Sequence, residues 1–181
     1  MDPTSRAAIA ALHYYEHFML NNVAHLMYNE QSNDKRIFMT VTIKHTEGFG
    51  KWKAEMAKAN PGTRIQIVRS GVSPSVLVTA SEHFGMPRAL FAKLIGISPA
   101  TAERKIKSGL PLGQTETERL GRIALIEDEA EKVFGTSDMA RDWLTKVNAS
   151  LGDTPLSMLD TETGADEIRK ILSAIAHGGA V

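Results

Sequence analysis

The helix starts and stops written along this chain constrain its fold more than any other feature. Ser73-Pro74, Ser98-Pro99 and Thr154-Pro155 each set a capping side chain before a proline at the first helical position. Thr115 with Glu118 and Thr163 with Asp166 read as capping boxes. Gly71, Gly85, Gly96 and Gly135 mark breaks. Between the marks the apolar residues recur at helical spacing. Val76, Leu77, Ala80 and Phe84 form one such set; Leu120, Ile123, Ala124, Ala130, Val133 and Phe134 form another. Ala140, Trp143, Leu144 and Val147 make a third face, and Ile168, Ile171, Leu172 and Ile175 a fourth. The pattern predicts an all-α fold.

Upstream the signals weaken. Ile9, Leu12, Met19, Val23 and Leu26 fit one helical face, Asn29 to Lys35 reads as a linker, and Phe38 to Ile43 alternates like an extended segment. Met39 is a plausible internal start, which would leave the first 38 residues as upstream sequence. Lys51 to Lys58 fits a helix closed by Asn60-Pro61-Gly62, and Arg64 to Arg69 is ambiguous between strand and helical turn, with context favouring the turn. The organisation expected is an N-terminal extension over 1–60, one helical domain over 61–122 and a second over 123–181.

The function classes narrow by chemistry. The 181 residues include no cysteine, which removes disulfides, thiolate zinc sites and a cysteine nucleophile and fits a reducing cytosol. The apolar runs are too short to span a bilayer, and the N-terminus lacks the apolar stretch of a signal peptide. The net charge is zero, but residues 61–122 hold 9 Lys+Arg against 4 Asp+Glu, and residues 123–181 hold 5 against 11. A basic middle and an acidic end suggest two partners, although uneven solvated faces give the same numbers. Ile123-Ala124-Leu125-Ile126 is apolar all round a helix and predicts a homodimer with part of this stretch at the interface; full burial within one chain competes.

Within the basic part, Phe91 to Ile106 reads as a helix-turn-helix. Ala92 lets two helices approach, Gly96 gives the tight turn, Ile97 closes the core, and Ala102 with Ile106 holds the second helix down. That geometry turns Thr101, Glu103, Arg104 and Lys107 outward, toward a major groove. Arg104 is suited to a guanine and Glu103 to a cytosine. Lys93, Lys105, Lys107 and the helix N-terminus at Ser98 suit phosphates. The competing reading is a helical hairpin with an exposed basic face.

The acidic end carries a longer motif. A helix containing Trp143-Leu144 precedes Leu151-Gly152-Asp153-Thr154-Pro155-Leu156, then Thr161-Glu162-Thr163-Gly164, then a last helix closing on His177-Gly178. In order and spacing this resembles the Xre/MbcA/ParS antitoxins, partners of RES-domain toxins. The likeness covers roughly 61–181. It departs at Asp153, where a second glycine is usual, and at Val147-Asn148, where Pro-Asn is usual. The resemblance implies an Xre-like helix-turn-helix domain followed by a small helical toxin-binding domain. It further implies that the C-terminal end blocks the cleft of an NAD-degrading toxin, and that the protein represses its own operon at operator DNA. The toxin-facing residues would be Leu151, Gly152, Pro155, Leu156 and the tail His177, Gly178, Gly179, Ala180 and Val181. Trp143, Leu144, Pro155 and Leu156 also fit plain core and turn positions.

A second class of function is a stand-alone transcriptional regulator whose acidic end only dimerises. A third, a metalloprotease, would rest on His13-Tyr14-Tyr15-Glu16-His17, an H-x-x-E-H pattern without a third ligand at useful spacing. No phosphate-cradling glycine loop and no nucleophile elbow is visible, so no cofactor and no catalysis are expected.

Overall fold

Most helices here begin where a side-chain oxygen meets an unpaired backbone N–H. The computed structural model describes residues 48–178. Helix α1 spans Phe49–Lys58. Asn60 then accepts from Thr63 N at 2.9 Å and starts α2, Pro61–Ser70, so the Asn-Pro pair expected to close one helix also opens the next. Ser73 caps α3, Pro74–His83. Helix α4 covers Arg88–Leu94, and Ser98 caps α5, Pro99–Ser108. Helix α6 runs Gln114–Phe134 and α7 runs Ser137–Thr145. A 3-10 helix, Pro155–Asp160, precedes α8, Glu162–Ala176. Among the described residues there is no strand, only one antiparallel bridge between Asn148 and Asp153.

Three local expectations are corrected. The cap of α6 is Gly113, not Thr115: Leu112 is buried and its N–H bonds Val72 O at 2.8 Å, which brings the chain into the helix earlier. Glu116, three residues on, folds its carboxylate back over Gly113, so the acidic half of a capping box is present without the hydroxyl half. The last helix is capped by Thr161, not Thr163. Thr161 Oγ1 accepts from Gly164 N at 3.1 Å, and a Cβ on Gly164 would run into the Met158 carbonyl, so the glycine must sit inside the first turn. Val147 does not share the buried face of Ala140 and Leu144; α7 ends at Thr145 and Val147 is exposed.

The 21-residue α6, roughly 30 Å long at 1.5 Å per residue, is the element on which the rest is assembled. It packs against α1, α2, α7 and α8. Its buried face holds Leu120, Ile123, Ala124, Ile126 and Ala130, and at Gly121 the missing side chain lets Met56 and Trp52 of α1 come close. Ile123, Ala124 and Ile126 are fully buried and Leu125 is half-buried against the same core, so this apolar stretch is consumed within one chain and offers no dimer interface. The helix passes unbroken through positions 122 and 123, and one apolar cluster extends from Phe49 to Leu172.

One polar group is set into this core. Glu127 of α6 is fully buried and accepts from His83 Nε2, and Lys53 Nζ lies 3.5 Å from it and 2.9 Å from Glu131. The side chains of α1, α3 and α6 meet there. The helical face in residues 1–38, the extended segment Phe38–Ile43, the start at Met39, the H-x-x-E-H pattern and Gly179, Ala180 and Val181 lie outside the described residues.

Candidate functional site

The helix-turn-helix is held by its turn. Gly96 sits at φ 84°, and its N–H donates to Lys93 O at 2.9 Å while Ile97 N donates to Ala92 O at 3.0 Å. That pair of bonds is the left-handed glycine closure that satisfies the last carbonyls of a helix. Ala92, Ile97 and Ala102 are buried and Ile106 is half-buried, as the motif requires.

The predicted DNA-facing residues divide into two groups. Arg104, Lys107 and Lys93 are exposed, and none has an ionic partner among the described residues. Ser98 accepts from Thr101 N at 3.1 Å and donates to Thr101 Oγ1 at 2.8 Å, so both hydroxyls shape the start of α5 at its exposed edge. The other two are engaged within the chain. Glu103 accepts from Arg88 Nη1 at 3.1 Å, which ties α5 to α4 and competes with cytosine recognition. Lys105 donates to Pro111 O at 2.8 Å and pins the loop before α6 rather than standing free for phosphate. Arg119 was missed from the sequence. Its guanidinium lies against Gly96 in the turn, and its place in the first turns of another helix gave no sequence signal.

At the other end, Leu151 to Leu159 forms a braced turn. Asn148 O accepts from Leu151 N and Gly152 N, and Asn148 N donates to Asp153 O at 3.0 Å. Gly152 holds φ 72° with open space around it. Leu151 is half-buried and Gly152 exposed, but Pro155 and Leu156 are buried and face the core; as side chains they present nothing to a partner. Arg122 of α6 secures this region, with Nε on Glu162 at 2.8 Å and Nη1 on Leu159 O at 3.1 Å. The hydrogen bond from Arg169 holds the Glu162 carboxyl below its usual range, and that from Arg122 adds to it against the opposing effect of burial. A lowered carboxylate favours folding above its ordinary value, so this tie is present at neutral pH and fades only in acid.

His177 and Gly178 are not a free tail. His177 N donates to Ser173 O, its Nδ1 lies 2.7 Å from the same oxygen, and Gly178 at φ 74° donates to Ile175 O. They close α8 at an exposed end. Among the described residues no group of His, Asp or Glu is arranged to hold a metal, and no helix is long and apolar enough to cross a membrane.

Comparison with known proteins assigns both ends. Residues 63–125 match the antitoxin Xre-like helix-turn-helix domain, and residues 129–178 match the antitoxin Xre/MbcA/ParS C-terminal toxin-binding domain. The chain belongs to the Xre/MbcA/ParS antitoxin family. It is 38% identical over 79 residues to the antitoxin Xre of Pseudomonas putida, which covers 43% of this chain and 50% of that protein. It is 25% identical over 130 residues to the antitoxin Xre of Photorhabdus laumondii, covering 70% and 88%. It is 26% identical over 131 residues to the Prs ADP-ribosylating antitoxin of a Sphingobium species, covering 67% and 82%. In the antitoxin family frame, the Arg104 surface belongs to the first matched domain, and the braced turn with α8 belongs to the second.

Proposed function

We propose that this antitoxin neutralises a RES-domain toxin that degrades NAD, by placing its C-terminal end in the toxin's cleft, and that it represses its own operon through the helix-turn-helix. The observation that carries the toxin half is the end of α8. The toxin-binding match stops at Gly178, where the helix closes at the surface on a glycine with φ 74°, so the three residues beyond it leave from a rigid, exposed anchor. An anchored tail needs little affinity of its own, because the folded domain raises its concentration at the cleft. The Sphingobium relative carries ADP-ribosylation in its name, and ADP-ribosylation also consumes NAD. The setting is the cytoplasm, where operator and NAD are both found. The chain's own role is occlusion, without catalysis or cofactor.

Since His177 and Gly178 cap α8, the clean truncation removes only Gly179 to Val181. The shortened chain is expected to stay folded and DNA-competent, to bind the toxin with modest loss, and to protect NAD poorly. NAD consumption by the RES-domain protein encoded beside this gene measures it, and equal inhibition by the two forms would rule out the tail as the plug.

The DNA half rests on Arg104 and Lys107, exposed and unpaired on α5. Arg104→Ala is expected to weaken operator binding by about 1–3 kcal/mol, the worth of one good base contact, with the melting temperature unchanged. A gel-shift titration at fixed salt checks it. Two half-sites call for a homodimer, with its interface elsewhere than on Ile123–Ile126.

A further inference from the structure

Resting on the toxin-binding reading above, we infer that the outer face of α7 is the anchoring surface that grips the toxin, separate from the tail that plugs it. Within residues 129–178 the large apolar side chains go to the core, with two exceptions: Met139 is 55% exposed and Val147 is 72% exposed. Trp143 lies one helical turn after Met139 on the same face of α7, half-buried, with its ring 5.4 Å from that of Phe134. The inner face of the same helix, Ala140 and Leu144, is fully buried. α7 therefore has one apolar face facing the core and a second, adjoining one facing outward.

The composition of the outer stripe suits a protein partner. Tryptophan and methionine are enriched at interface centres, and methionine repacks to fit an irregular surface. Exposed ion pairs border it, Arg141 with Asp138 and Lys146 with Asp142, which is the polar rim such centres carry. The match of this segment to a toxin-binding domain names the occupant: an apolar depression on the toxin, not a second antitoxin and not nucleic acid. DNA is disfavoured further because the stripe lies in the acidic part of the chain. The division of labour follows. The stripe supplies affinity and the tail supplies inhibition, so each can be lost without the other.

The test uses the full chain and the RES-domain protein encoded beside its gene. Met139→Glu and Val147→Glu change exposed side chains and are expected to leave the melting temperature in place. Each is expected to weaken toxin binding by roughly 10- to 100-fold by calorimetry, and the double variant by more. Trp143→Ala is the third variant, read only if it melts with the parent. An independent readout comes from 5-fluorotryptophan labelling, which gives one resonance for buried Trp52 and one for Trp143; toxin is expected to shift the second and spare the first. Unchanged affinity of both Glu variants, with the parent binding normally, overturns the inference and leaves the antitoxin reading standing. Failure of the parent chain itself to bind overturns that reading and the inference with it. Dissociation of an antitoxin dimer by the Glu variants at unchanged toxin affinity assigns the stripe to a second copy and also overturns the inference.

Discussion

Gly71→Ala is expected to cost about 3 kcal/mol or more and to leave little folded protein at 37 °C. Gly71 holds φ 75° and ψ 169°, a region that glycine alone occupies readily. A Cβ there would also strike the carbonyl oxygen of Leu112, which is backbone and has no rotamer by which to yield. That carbonyl belongs to the residue whose N–H bonds Val72 O at 2.8 Å, so the α2–α3 junction and the strand of chain entering α6 are laced together at this point. Gly135→Ala is the control. It too has positive φ, 86°, but nothing lies within 4 Å of the added Cβ, so it should cost only about 1–2 kcal/mol. Thermal and urea unfolding compare the two. Equal destabilisation would mean that the Leu112 contact carries no weight.

The second large effect is expected at Glu127. Breaking a buried ion pair by removing one partner costs about 3–5 kcal/mol, since the remaining charge is left without compensation. In Glu127→Ala, Lys53 retains Glu131, but His83 loses its acceptor and a cavity opens in α6. Glu127→Leu with Lys53→Met should lose much less than the sum of the single changes, because hydrophobic replacement of the whole pair removes the desolvation cost with the attraction. A double-mutant cycle from denaturant unfolding gives the coupling, and additivity would show that the two groups act independently.

Glu127 also shows where sequence reading stops. It stands in the run Glu127-Asp128-Glu129, which by composition reads as a solvated acidic face. Its position, four after Ile123 and seven after Leu120, puts it on the buried stripe instead. The period carried the signal and the charge concealed it, since a buried carboxylate depends on partners from α1 and α3 that are distant in sequence. The helices themselves were legible, because caps such as Ser98 and glycine stops such as Gly96 act over three or four residues. Legibility failed where a long-range contact chose the start, as at Gly113 and Thr161.

The candidate surfaces divide the same way. Arg104 and Lys107 were visible as outward positions of a recognisable motif. Glu103 and Lys105 looked equivalent to them, but Arg88 and Pro111 O take up those side chains, and no local pattern announces such a pairing. Leu156 and Pro155 belong to a turn whose spacing identifies the family, yet the spacing reflects what the core needs. The Thr161–Gly164 step makes the point again: hydroxyl and glycine are both required, one for a hydrogen bond and the other for the space beside Met158 O.

Because α6 threads both matched domains and one core joins them, neither end can be opened while the other stays closed. The two binding surfaces thus share a single lifetime in the cell. A protease that captures the unfolded chain removes the guard on the toxin and the occupant of the operator in the same event, at a rate set by one unfolding equilibrium. Destruction of the antitoxin would then itself call for its resynthesis, with no separate sensor between the two.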